Sequence, residues 1–100
     1  MAQPPNYDGA AILMRALDSK VRMRILHLLQ ERTRCVHELV ELLDSSQPLV
    51  SQHLRVLKNA GLVDADRRGR EMYYSLSRTD VIPILDAAIA LMQANTKTLV

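Results

Sequence analysis

The side chains best suited to chemistry lie between residues 45 and 70. The central string is Ser45-Ser46-Gln47-Pro48-Leu49-Val50-Ser51-Gln52-His53-Leu54-Arg55-Val56-Leu57-Lys58-Asn59-Ala60-Gly61-Leu62-Val63. Val50, Leu54 and Leu57 recur at i, i+4 and i+7, which is one buried helical stripe. Ser46, Gln47, Pro48, Ser51, Gln52, Arg55 and Lys58 fall off that stripe. Hydroxyl, amide and guanidinium groups hydrogen-bond base edges, and cations neutralise phosphates. Gln52 has the amide that reads adenine bidentately, and Arg55 suits guanine or a phosphate. His53 sits beside the apolar stripe, so a phosphate contact and a structural role at the helix base both stay open. Arg67, Arg68 and Arg70 surround Gly69, where a hairpin would turn, and suit the DNA backbone or an adjacent minor groove. A polar helix face alone is often just solvated, and charged hairpin tips are ordinary. Side by side, a groove-sized polar helix and a cationic loop form a DNA-binding constellation, with double-stranded DNA as the expected partner.

The elements that must hold these groups follow from pattern and punctuation. Residues 1–9 read as a flexible arm, with Pro4, Pro5 and Gly9. A first helix is expected over about 10–17 and a second over about 20–31, with cap chemistry from Asp18 and Ser19. Arg22 and Arg24 belong to the outer side of the second helix, opposite Val21, Ile25, Leu28 and Leu29. Residues 33–35 form a connection to a third helix over 36–43. Ser46 caps the fourth helix, Pro48 is tolerated in its first turn, and Gly61 stops it. Residues 62–66 and 71–76 read as two strands joined through Gly69. A last helix covers about 79–94 and is too apolar all round to stand alone on a surface, so it either packs on the first helix within the core or forms a dimer face with it. One domain over 10–95 results, followed by a tail at 96–100. The fold class is mainly α with a β-hairpin wing: a winged helix-turn-helix of five helices and two strands.

Composition agrees. One hundred residues at 48% apolar content make a single domain with a real core. Phe and Trp are absent, so aliphatic residues must fill it, and cores of this kind are helical or gain burial by oligomerising. Residues 45–78 hold six basic groups against three acidic ones, whereas six and six cancel in residues 1–44. No apolar run is long enough to cross a bilayer, and the opening Ala2-Gln3-Pro4-Pro5-Asn6 does not resemble a signal peptide. A lone cysteine, Cys35, cannot form an intrachain disulfide, which fits a reducing cytoplasm.

The chain resembles the ArsR/SmtB family of bacterial winged-helix repressors. The resemblance rests on Leu17-Asp18-Ser19-Lys20-Val21-Arg22-Met23-Arg24-Ile25-Leu26, on Val36-His37-Glu38-Leu39, on the stretch from Val50 to Val63, and on Arg68-Gly69-Arg70-Glu71-Met72-Tyr73-Tyr74-Ser75-Leu76. It spans roughly 10–95. It implies a homodimer joined through the first and last helices, so Ile12, Leu13, Ala16, Val81, Leu85, Ala88, Ile89 and Met92 are the expected interface. It also implies a pseudo-palindromic operator, and release by an effector such as Zn²⁺, another divalent metal or a redox signal.

The effector sites familiar in that family are incomplete here. Where one uses C-x-C, this chain has Cys35-Val36-His37, and two donors are too few for a closed tetrahedral site. Asp8 is the arm's only obvious addition. Another site falls on Arg78, Asp80, Leu91 and Ala94, of which only Asp80 could bind a metal. Cys35 is otherwise an unliganded thiol, or one open to oxidation or intersubunit pairing at a helix start. The competing class is a winged-helix module that holds a protein instead of DNA. Enzyme chemistry is excluded: His37-Glu38-Leu39-Val40-Glu41 has Glu where H-E-x-x-H needs a second His, and neither a nucleophile–base pair nor a phosphate loop is present.

Overall fold

A computed structural model describes residues 2–99, with side chains through residue 94. The order is α1 (Tyr7–Leu17), α2 (Lys20–Glu31), β1 (Arg34–Cys35), α3 (Val36–Leu43), α4 (Gln47–Asn59), β2 (Val63–Arg68), β3 (Glu71–Leu76) and α5 (Val81–Leu99). This is the expected winged helix-turn-helix, with one more strand than the sequence shows. Residues 34–35 are not a plain connection: Arg34 pairs with Tyr74 and Cys35 with Tyr73, so β1 lies antiparallel on β3 and the sheet order is β1-β3-β2. Two residues carry no period-2 signal, so only the free edge of β3 reveals this strand.

Local chemistry sets the ends. The Asn6 side chain accepts the Gly9 amide at 2.9 Å and starts α1 at Tyr7, three residues earlier than expected. A side chain at residue 9 would collide with that Asn6 cap, so the glycine that reads as a breaker serves the helix start. Ser19 caps α2 through the Arg22 amide at 3.2 Å, and Ser46 caps α4 through the Leu49 amide at 3.4 Å. Asp44 takes the left-handed conformation (φ 50°) after α3, and Gly61 does so (φ 78°) beyond α4. β2 and β3 meet through Gly69-Arg70, where Gly69 alone has positive φ (64°), the pattern of a type II′ hairpin. α5 continues through Leu99, because no glycine or proline after Pro83 interrupts it. The boundary expected near residue 95 thus falls inside a helix, and Val100 lies outside the described residues.

Ile25, Leu26, Leu39, Val50, Leu54 and Leu57 are wholly buried where α2, α3 and α4 meet. Each such side chain contributes roughly 1.5–3 kcal/mol by leaving water. Arg34 is also buried, at 7% exposure. Its Nε donates to the Leu28 carbonyl at 2.9 Å, and its Nη groups reach Glu31 and Glu38. It closes the C-terminal end of α2, where carbonyls lack helical partners.

Three residues expected at a dimer interface belong instead to the protomer's own core. Ala16 is 2% exposed, Val81 2% and Leu85 1%. Periodicity marks a residue as apolar, but not whether its neighbour lies in the same chain. Leu13 and Ile89 are half-buried against the core, while Ile12, Ala88 and Met92 stay exposed. Met14, Ile84 and Leu91 join that exposed apolar set.

Candidate nucleic-acid interface

On α4 the buried stripe is Val50, Leu54 and Leu57, as the spacing predicts. Ser46, Gln47, Pro48, Gln52, Arg55 and Lys58 are exposed, and Ser51 is half-buried on the shoulder. β2 packs against α4 and carries the wing beside it. Arg67 and Arg68 end β2, Arg70 occupies the turn, and all three are exposed. The candidate residues are therefore gathered on one helix and the adjoining hairpin.

Their electrostatics differ. Arg55, Lys58, Arg67 and Arg70 make no side-chain hydrogen bond or ion pair among the described residues. Arg68 is engaged: its Nε donates to Asp66 at 3.0 Å, and its guanidinium lies 4.7 Å from the centre of the Tyr73 ring. That stack explains why Tyr73 is half-covered on the outer face of β3, where simple alternation would leave it bare.

His53 does not join the outward row. It is half-buried, and its Nδ1 accepts from Arg22 Nη1 at 3.1 Å. Burial, and then the Arg22 cation, hold the His53 pKa below its ordinary value. Of the two roles open to it, the structural one has a partner inside the protein. Arg22, expected on the outer side of α2, is half-buried and folds back over the end of α1. Its partner lies 31 residues away, so no local pattern could reveal it.

The metal candidates do not converge. Cys35 is half-buried at the start of α3, and its amide donates to Glu38. His37 is exposed, with Nδ1 2.9 Å from the Glu71 carboxylate. The Asp80 carboxylate accepts from Arg78 at 3.0 Å, and this hydrogen bond lowers the Asp80 pKa. Glu38 is likewise held low, first by its hydrogen bond from Arg32. Among the described residues no cluster of three or more His, Cys, Asp or Glu could hold a metal ion. The described residues therefore do not fit a closed metal site.

Comparison with known proteins agrees with this architecture. Residues 19–65 match the model of the bacterial regulatory protein arsR family. The HTH-type transcriptional repressor SmtB of Mycobacterium tuberculosis is 48% identical over 91 residues, which cover 89% of this chain and 67% of that repressor. The crystal structure of Rv0081 from M. tuberculosis superposes with a TM-score of 0.80 at 34% identity, covering 98% of this chain and 100% of that one. The solution structure of a homodimeric winged helix-turn-helix DNA-binding domain from Mycobacterium bovis gives a TM-score of 0.76 at 28% identity, covering 93% and 91%. With this fold, this helix-and-wing arrangement and these relatives, the chain belongs to the arsR family of bacterial regulatory proteins, transcriptional regulators and not enzymes.

Proposed function

We propose that the protein is a homodimeric repressor that occupies a pseudo-palindromic operator in the bacterial cytoplasm and so blocks transcription. The observation that carries this reading is the set of exposed, unpartnered cations on α4 and the wing: Arg55, Lys58, Arg67 and Arg70. Ser46, Gln47, Ser51 and Gln52 line the same helix start and supply groove-sized polar contacts, with Pro48 adding an apolar ring beside them. A second copy brings a second α4, and two such helices span successive major grooves when they lie about 34–36 Å apart. The exposed apolar residues of α1 and α5 are where that copy would sit. A shallow groove there is walled by Met14, Arg15, Asp18, Met23, Ile84 and Ala88 over a floor of buried Leu17 and Leu85, and it continues past Ile89 and Met92.

The test is operator binding to DNA from the protein's own upstream region, at several salt concentrations. Arg55→Ala is expected to cost ~1–3 kcal/mol on operator DNA and to relax base discrimination. The double change Arg67→Ala and Arg70→Ala should weaken binding to every sequence and flatten the salt dependence by about two phosphate contacts. If neither set alters binding, the assignment fails. Release by an effector is read by adding Zn²⁺, Cd²⁺, Ni²⁺, peroxide or reductant to protein and to Cys35→Ser. If none of these shifts affinity, Cys35 and His37 have no sensing role.

A further inference from the structure

The Arg22 side chain spans three elements. From α2 it reaches back over the C-terminal end of α1, where its Nε donates to the Ala16 carbonyl at 2.6 Å. Its Nη2 donates to the Arg15 carbonyl at 2.9 Å and, at longer range, to that of Asp18 at 3.4 Å. These carbonyls close a helix end, where the dipole favours a cation, and the guanidinium adds to the Asp18 amide that the Arg15 carbonyl already accepts. The remaining arm, Nη1, points across to His53 Nδ1 on α4. A guanidinium is planar and donates in a fixed fork, so satisfying α1 with two nitrogens sets the direction of the third.

Arginine has no acceptor, so His53 Nδ1 must accept, which leaves the imidazole neutral with its proton on Nε2. Burial and the neighbouring Arg22 charge both favour that neutral form. No carboxylate comes within ion-pair distance of His53 among the described residues. The contact is therefore a directional hydrogen bond to a cationic donor, not a diffuse attraction. Arg22 itself lies on α2, and through its other nitrogens it links the end of α1, the helix that exposes Ile12 and Met14, to α4, the helix that exposes Gln52 and Arg55.

We propose that Arg22 and His53 are positioning residues for operator recognition, tying the last turn of α1 to α4 so that the subunit contact fixes where α4 meets the groove. This rests on the operator-binding dimer proposed above. It assigns His53 an indirect role: the residue acts on DNA through the placement of its helix, and Arg22 through His53.

A double-mutant cycle separates this from a direct DNA contact. Affinity is measured for the operator and for random duplex, using Arg22→Lys, His53→Ala, His53→Asn and the pair Arg22→Lys with His53→Ala. Dimer content and helical spectrum are checked for each. Lysine keeps the charge but loses the fork, and the Asn amide oxygen can stand in for Nδ1. His53→Ala and Arg22→Lys should each cost ~10-fold on operator DNA, with random duplex changed less than ~2-fold. The pair should be no worse than the poorer single variant, because one removed contact cannot be removed twice. His53→Asn should retain operator affinity to within ~3-fold. Additive losses, or losses equal on operator and random duplex, overturn the inference. If the Arg22 variant does not fold, His53→Asn against His53→Ala decides: equal damage from both overturns it, and rescue by Asn supports it. A wild-type protein that binds operator no better than random duplex overturns the operator-binding reading as well; one that discriminates, with additive variants, overturns this inference alone.

Discussion

Protonating His53 would set a second cation against Arg22 and remove the acceptor that Arg22 uses. The native state resists that proton because the imidazole is half-buried and faces a guanidinium, so its folded-state pKa lies below the ordinary value of 6.5. The unfolded chain has neither restraint. Between the two values the unfolded state holds the extra proton, and stability therefore rises with pH. The His53 contribution is complete above about 6.5 and is lost as pH falls from there toward the depressed native value. Urea unfolding of wild type and His53→Asn across that range should show the wild type losing more stability on acidification. The His27–Asp86 and His37–Glu71 contacts are present in both proteins and cancel in the difference. Parallel curves for the two proteins would mean that His53 titrates alike in folded and unfolded chains.

The elements succeed by different kinds of information. Ser46 caps α4 at the start of the polar face, with a long hydrogen bond to the Leu49 amide. Ser46→Ala should thus cost about 0.5–1 kcal/mol, toward the lower part of the usual N-cap range. The loss should show as fraying of the Gln47–Leu49 turn in amide exchange, with the Leu54 and Leu57 amides still protected. Equal exchange across all of α4 would show that the cap acts on the whole fold. Such caps are legible because donor and acceptor lie three residues apart in sequence, and so are the α3 limits, the Gly61 stop and the Gly69 turn. The polar row on α4 is legible for the same reason: one helical period sorts it from Val50, Leu54 and Leu57. What escapes the sequence is pairing at a distance. β1 is too short to show alternation, and Arg22 looks like a solvent-facing arginine until α4 is placed beside it. Ala16, Val81 and Leu85 carry the right period for an interface, but their partners are in their own chain. The start of α1 is hidden because Gly9 signals a break in isolation and a cap only when Asn6 is seen against it.

At the scale of the whole molecule, the proposed dimer bears on the exposed apolar side chains of α1 and α5. The radius of gyration is 15.2 Å, against roughly 13 Å for a compact domain of 100 residues. The extents, 45 × 44 × 21 Å, describe a flattened body. No helix among the described residues is long and apolar enough to cross a membrane, so a bilayer span does not account for the exposed aliphatic side chains of α1 and α5. Ile84 is 42% exposed at the edge of the groove beside Leu85, and Leu42 is 45% exposed on α3, away from that groove. The two residues make a matched pair: similar exposure, different surface. Ile84→Glu should convert the protein to monomers in sedimentation, because a buried unpaired carboxylate at a symmetric contact is met twice. Leu42→Glu should leave the dimer intact. The Ile84 variant should also lose ~100-fold or more in operator affinity, since each half-site is then bound without its linked partner, while binding to an isolated half-site changes little. A monomeric Ile84→Glu that still holds the full operator at wild-type affinity would place recognition within one subunit, and the spacing of the two α4 helices would then have no part in it.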